Sequence, residues 1–225
     1  IYKGLKPVYW CPHDETALAE AEIEYNDDKC TSIYVKFRVC DDLGGKLSDV
    51  ADLAHTYFII WTTTTWTLPG NLAIALHPDE SYAVVKAGED YYIVAEALAA
   101  RTMAAGSIEN YEIVKTLPGR EFEFMRARHP FLDRDSVIVN ADYVTMDSGT
   151  GCVHTAPGFG ADDYNTCRRY NIDIIVPVDD RGYQTADAGK FAGMYYEASN
   201  EAILADMKES GALFASEEVT HSYPH

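Results

Sequence analysis

The sequence predicts an α+β, β-rich fold: a twisted β-barrel core surrounded by short helices. Three observations lead there. Ten short β-favouring runs are spread along the chain, at 7–10, 33–39, 57–62, 73–76, 82–86, 91–95, 111–114, 121–125, 137–140 and 152–154. Several of them alternate apolar and polar residues, as half-buried strands do. Helical spacing is confined to 96–104, 161–170 and 196–209. Strands and helices do not alternate in a βαβ rhythm, so a barrel decorated by helices fits better than a doubly wound parallel sheet.

Taken along the chain, the run Tyr57-Phe58-Ile59-Ile60 is aromatic and β-branched, and reads as a buried strand. The segment 161–170 opens behind Gly158-Phe159-Gly160 and carries Asp162 and Asp163 in its first turn. A carboxylate there is favoured by the helix dipole by about 0.3–1 kcal/mol. The clearest helix is 196–209, where Ala198, Ala202, Ile203 and Met207 form a stripe and Gly211 follows as a stop. Asp41-Asp42-Leu43-Gly44-Gly45 and Asp179-Asp180-Arg181-Gly182 read as turns. No internal repeat or low-complexity segment interrupts the pattern.

A chain of 225 residues, 47% of them apolar, suits one large domain or two small ones and can bury a real core. No stretch approaches ~18 uninterrupted apolar residues, so no transmembrane helix and no membrane partner are expected. The first residues lack a basic region followed by an apolar run, so no signal peptide is expected. The start at Ile1 fits a segment excised from a larger protein. Five cysteines without framework spacing read as free thiols of a reducing cytoplasm. Cys11-Pro12-His13 has no second ligand pair at metal spacing, so no metal is expected.

The net charge of −18, from 18 basic and 36 acidic residues, argues against nucleic-acid binding as the primary role. An acidic domain receives a short single-stranded end when another part of a larger protein holds the rest. Arg120, Arg126, Arg128, His129 and Arg134 interleave with Phe122, Phe124 and Phe131. They read either as the solvated face of a strand pair or as a nucleic-acid contact made by phosphate pairing and stacking.

The chemistry concentrates in residues 61–71, Trp-Thr-Thr-Thr-Thr-Trp-Thr-Leu-Pro-Gly-Asn. Thr is stiff at χ1 and carries both a donor and an acceptor. A row of threonines at a strand end is either a solvated polar face or a fixed, uncharged surface able to orient a water and an ester carbonyl. His154, after Gly149 and Gly151, is either a satisfied structural histidine or a site residue that titrates near neutrality. The chain lacks a Gly-x-Ser-x-Gly elbow; Ser148-Gly149-Thr150-Gly151 is a poor substitute, and nothing pairs Cys152 or Cys167 with a base. No side chain of the sequence is therefore expected to act as a covalent nucleophile.

Residues 61–71 resemble the threonine-rich peptide of isoleucyl-tRNA synthetases, Trp-Thr-Thr-Thr-Pro-Trp-Thr-Leu-Pro-x-Asn, which lines the editing pocket. Residues 149–164, Gly-Thr-Gly-Cys-Val-His-Thr-Ala-Pro-Gly-Phe-Gly-Ala-Asp-Asp-Tyr, are similar to the family's second editing motif, GTGxVHTAPGxGxxDY. The opening Gly4-Leu-Lys-Pro-Val-Tyr-Trp-Cys-Pro and the closing His221-Ser-Tyr-Pro-His look like the borders of that inserted, connective-peptide domain of a class I synthetase. Thr65 departs from the pattern, standing where the family usually has Pro. Sister valyl and leucyl domains typically carry Thr-Thr-Arg-Pro, so Thr-Thr-Thr-Thr-Trp favours the isoleucyl branch.

The resemblance implies a single editing domain over 1–225, with 1–30 and 210–225 as border segments leading to a catalytic core. It implies a β-barrel, in agreement with the strand count. It implies hydrolysis of the ester of Val-tRNA(Ile), with valyl-adenylate as a second candidate substrate and isoleucine refused by size. Thr62, Thr63 and Thr64 would hold the water and the carbonyl, with Asn71 nearby. Asp163 would bind the free α-ammonium, and His154, Trp66 and Thr67 would form the pocket wall. The partners implied are the tRNA acceptor end and the remainder of the synthetase in cis, with no cofactor. The alternative is a module that only binds the acceptor end.

Overall fold

The computed structural model describes residues 6–224; the outermost parts of the two expected borders, at 1–5 and 225, lie outside the described residues. An antiparallel ribbon, β1 (Tyr9–Cys11) with β2 (Thr16–Leu18), stands apart from the main sheet. The main sheet follows: β3 (Tyr25–Asp41), β4 (Thr56–Thr62), β5 (Ala73–Leu76), β6 (Ser81–Ala87), β7 (Asp90–Ala95), β8 (Glu112–Pro118), β9 (Arg126–Arg128), β10 (Asp135–Asn140), β11 (Val153–Thr155) and β12 (Leu213–Pro224). Three α-helices complete the fold, α1 (Ala99–Ala105), α2 (Ala161–Arg169) and α3 (Tyr196–Ser210).

Six strands close a barrel in the order β3-β9-β10-β5-β11-β4, because β4 pairs back onto β3 from Ile33↔Thr62 to Arg38↔Tyr57. Closure removes the free edges that would otherwise template association. The length of β3 is what permits it. One edge of β3 carries β4; the other is shared by β12 along its first part and by β9 at its end. β7, β6 and β8 extend the sheet from the first half of β4.

Alternation sorts each strand between two faces. Ile33, Val35, Phe37 and Val39 of β3, Phe58 and Ile60 of β4, Ile74 and Leu76 of β5 and Ile138 of β10 share the barrel interior with Phe122, Met125 and Leu68. The opposite face of β3 and β4 puts Tyr34 and Ile59 under Met103 of α1 and Phe214. Outside β5 and β10, Ala73, Ala75 and Val139 pack against Val144, Tyr170 and Ile172. The expected barrel with short helices is therefore the observed architecture.

Some local readings are corrected. Residues 121–125 form no strand: Gly119–Phe122 is a 3-10 turn, and Phe124 follows at φ 70°. Phe122 and Met125 both enter the core, and their three-residue spacing is a turn period rather than the strand period of two. On α3 the buried stripe is Ser199, Ile203 and Met207, with Ala198 exposed. Gly211 caps this helix in the left-handed conformation, φ 73°, as its position suggests. Residues 25–30 of the first border and 213–224 of the second pair within the main sheet, where Tyr25–Val35 lie along β12.

Candidate active site

The barrel topology brings the two motifs together. β4 and β11 run parallel, with Val153 opposite Trp61, so the chain segments leaving their C-terminal ends emerge side by side. One of these is Thr62–Thr64, the other His154–Ala156. β11 also pairs antiparallel with β5, placing His154 opposite Ile74 and Thr155 opposite Ala73. Asn71, just before β5, thereby reaches His154.

The threonine run leaves β4 and enters a 3-10 turn, Thr65–Gly70. Thr65 is its first residue, the position where Pro is tolerated because the N–H has no helical partner. Thr and Pro both suit that conformation, which explains why the departure from the family pattern leaves the turn intact. The N–H of Thr64 donates to Thr62 Oγ1 at 3.1 Å, fixing the first hydroxyl of the row. Trp66 is held at its backbone, its N–H donating to Asn200 Oδ1 at 2.9 Å and its carbonyl accepting from Gln184 Nε2 at 3.0 Å. Its ring packs edge-on against Phe159 and Tyr196, each with a centroid separation of 5.0 Å.

A cavity of about 270 Å³ opens at this end of the barrel. Thr62, Thr63, Tyr143, Ser148, Val153 and His154 are among the residues that line it. No Asp, Glu, Lys or Arg is among its lining residues. The cavity wall is thus neutral and hydrogen-bonding, the character expected of the threonine row. Gly151 sets the back of the cavity: at φ 75°, a Cβ on it would lie 2.4 Å from that of Ala95.

His154 is the centre of a directed hydrogen-bond chain. Asn71 Nδ2 donates to His154 Nδ1 at 2.7 Å and to the Ala73 carbonyl at 3.0 Å, while Ser136 Oγ donates to Asn71 Oδ1 at 2.6 Å. The amide orientation follows, because its two donors must face the two acceptors. His154 Nδ1 then accepts, so its proton sits on Nε2, which donates to Thr67 Oγ1 at 3.1 Å. Thr67 Oγ1 passes its own proton to the Thr64 carbonyl at 2.8 Å. Both ring nitrogens are occupied, and burial pushes the His154 pKa down to about 4. The imidazole is therefore neutral near pH 7, a wall with fixed edges.

Asp163 lies in the first turn of α2, and its Oδ2 accepts from the Ala156 N–H at 2.8 Å, two residues beyond His154. Gly160 permits this approach, since a Cβ there would sit 3.0 Å from the carboxyl group. Burial, opposed by the Ala156 N–H and reinforced by the negative charge of Asp162, raises its pKa to about 6. Among the described residues no Lys or Arg forms an ion pair with it.

The expected site residues thus divide. Thr62, Thr63 and His154 line the cavity. Thr64, Trp66 and Thr67 are not among its lining residues, and Thr67 is braced between Thr64 and His154. Asn71 is fully buried with its amide groups all engaged, so it acts on His154 and not on a bound molecule. Asp163 stands beside the end of β11. Two members of the arginine-rich segment, His129 and Arg134, hold the backbone of the threonine turn. His129 is buried and donates from Nε2 to the Leu68 carbonyl at 3.0 Å, Arg134 donates to the Pro69 carbonyl, and Arg128 and Arg120 pair with neighbouring aspartates. Among the described residues no three His, Cys, Asp or Glu side chains converge in a metal-holding group, and no helix is long and apolar enough to cross a membrane.

The closed barrel and its decorating helices are the fold of aminoacyl-tRNA synthetase editing domains, as comparison with known proteins shows. The family model described as "Leucyl-tRNA synthetase, editing domain" matches residues 50–221, and the chain belongs to that family. Among solved structures it is similar to GlLeuRS-CP1, with a TM-score of 0.67 and 15% identity over 84% of this chain and 100% of that one. It also resembles the P. knowlesi cytosolic leucyl-tRNA synthetase editing domain, with a TM-score of 0.60 and 14% identity over 86% of this chain and 96% of that one.

In sequence the likeness is to the isoleucyl branch. Over all 225 residues the chain is 53% identical to the isoleucine–tRNA ligases of Caldicellulosiruptor bescii and Caldicellulosiruptor saccharolyticus. It spans 24% of the length of each.

Proposed function

We propose that this domain hydrolyses the ester of valine mischarged onto isoleucine tRNA, acting as an insert in a larger synthetase that holds the body of the tRNA. Valyl-adenylate, which shares the aminoacyl group, is the second candidate substrate. The observation that carries the reading is the neutral threonine and histidine cavity and, at the end of the strand that carries His154, a half-buried carboxylate with no cationic partner among the described residues. A carboxylate destabilised by burial is restored by a ligand ammonium, and a charge-assisted bond of this kind is roughly twice as strong as a neutral one. Asp163 then anchors the free amino group of the aminoacyl ester.

The hydroxyls of Thr62 and Thr63, with the Thr64 backbone behind them, position the attacking water and the ester carbonyl. The substrate's neighbouring ribose hydroxyl assists proton transfer. Most of the rate comes from positioning and from uncharged donors in a water-poor site. His154, held by Thr67 and Asn71 and neutral near pH 7, serves as wall and not as base. Such a wall answers a familiar limit: one methylene is worth only about 1–3 kcal/mol in an apolar pocket, so a second site must refuse isoleucine by size.

The test is deacylation of Val-tRNA and Ile-tRNA, both on isoleucine tRNA, by the domain and by its Asp163→Ala variant. Selective release of valine that disappears in the variant supports the reading. Binding of the acceptor end with no hydrolysis, in the isolated domain and in the whole synthetase, would establish the non-catalytic alternative.

A further inference from the structure

The hairpin of β9 and β10 belongs to neither editing motif, yet it supports both. Its loop sends His129 to the Leu68 carbonyl and Arg134 to the Pro69 carbonyl, clamping the end of the threonine turn. At the start of β10, Ser136 is fully buried and donates at 2.6 Å to Asn71 Oδ1. Its placement is fixed by the ladder. Val137 pairs with Ala73, and the Val137 N–H donates to the Leu72 carbonyl at 3.2 Å, which sets Ser136 alongside Asn71.

We propose that Ser136 is a positioning residue for the editing pocket, fixing the orientation and tautomer of His154 through the Asn71 amide. The chain of donors runs one way: Ser136 to Asn71, Asn71 to His154, His154 to Thr67, and Thr67 to the Thr64 carbonyl. Removing the Ser136 hydroxyl leaves Asn71 Oδ1 without its donor in a buried site. The amide is then held only by the Ala73 carbonyl and by His154 itself. The rotated amide, which gives up the Ala73 carbonyl, is then no longer opposed by the Ser136 donor as well, and where it is populated it turns an acceptor toward His154 Nδ1. The ring must then move its proton to Nδ1 and accept at Nε2, which takes the Thr67 proton from the Thr64 carbonyl. A change at β10 thereby reaches the backbone of the threonine row and the wall that sizes the side chain. The inference rests on the hydrolytic reading above, since a pocket wall matters only if the pocket discriminates.

Two readouts on Ser136→Ala test it. The first is independent of hydrolysis: ring ¹⁵N shifts of His154 report the tautomer. The intact protein should show the proton on Nε2, and the variant a mixture of tautomers or the Nδ1-protonated form. The amide spectrum, retained in the variant, excludes loss of the fold. The second is the ratio of valine to isoleucine released in single-turnover deacylation, expected to fall about 3- to 10-fold, the worth of one hydrogen bond. Ser136→Thr, which keeps the hydroxyl, should restore the Nε2 tautomer. An unchanged His154 spectrum in Ser136→Ala would overturn the proposal. So would an unchanged ratio in a wild-type domain that is active. A wild-type domain without hydrolysis whose His154 tautomer nevertheless shifts in the variant would sink the hydrolytic reading and leave the positioning role of Ser136 standing.

Discussion

Replacing Asp163 by Asn should stabilise the domain while abolishing its activity, and the size of the gain can be worked from the site. The Asp163 pKa is raised to about 6, chiefly by burial. Against an unfolded value of about 3.9, the folded state binds this proton more tightly. Stability is therefore unaffected well below pH 4 and is lost as the pH rises through the window between 4 and 6. Above pH 6 the loss is complete, at about 3 kcal/mol for a shift of this size. At pH 4.5 it is only about 1 kcal/mol. Asn carries no charge to desolvate, and its Oδ1 can still accept from the Ala156 N–H. The variant should therefore exceed the wild type by about 3 kcal/mol at pH 7.5 and by about 1 kcal/mol at pH 4.5. In a domain of this size about 1 kcal/mol shifts Tm by roughly 2–4 °C. Thermal or urea unfolding of both proteins at the two pH values reads this directly. A variant no more stable than the wild type at pH 7.5, or a difference independent of pH, would refute the account of Asp163 as a desolvated carboxylate without a cationic partner.

Other outcomes follow from the same geometry. Single changes Thr62→Ala and Thr63→Ala should lower Val-tRNA deacylation by about 10- to 100-fold each, below the loss expected of a nucleophile; a drop beyond about 10⁴-fold from either would mean covalent catalysis. His154→Ala enlarges the wall and should raise hydrolysis of Ile-tRNA relative to Val-tRNA; an unchanged ratio would remove His154 from the wall. Thr65→Pro places Pro at the first position of the 3-10 turn and should stabilise the fold by about 0.4–1 kcal/mol in urea unfolding. Acid should destabilise the domain through His129 and His154, whose pKa values burial lowers to about 3 and about 4. Their contribution is complete above about pH 6.5 and is lost as the pH falls toward those values. Near pH 5 the two histidines bind about two protons on unfolding while Asp163 releases nearly one, so proton-uptake measurements should show a net uptake of about one, rising to about two in Asp163→Asn; an uptake that does not rise in that variant would contradict it.

What was legible in the sequence was whatever the residue pattern dictates locally. β5 spans the four residues its apolar run marked, β4 ends at the first threonine of the row, and β11 carries His154 at its centre. The barrel class came from counting strands, but its closure depends on β3 serving three neighbours, which alternation along one strand does not reveal. β12 was hidden because its sequence, with Glu217, Glu218 and Thr220, lacks the apolar period of a buried strand. The site was half legible. Threonine chemistry and the acid at a helix start are readable from residue type, whereas Ser136, Tyr143 and Gln184 carry no local signal of their part. Residue type does not separate Arg134 and His129 from their exposed neighbours, although these two turn inward to hold the carbonyls of Pro69 and Leu68. Only the pairing of β10 with β5 makes that direction intelligible.

The most direct test of the account changes the substrate instead of the protein. Single-turnover deacylation of Val-tRNA(Ile) should be compared with that of its N-acetylated form, using the same domain and the same tRNA. Acetylation removes the ammonium that Asp163 is argued to bind and leaves the ester, the ribose and the side chain untouched. Loss of about two orders of magnitude or more in rate is expected for the blocked ester, in keeping with the removal of a buried charge-assisted bond. Equal rates for the free and blocked esters would contradict the assignment of Asp163 as the ammonium anchor, and with it the architecture proposed for the site.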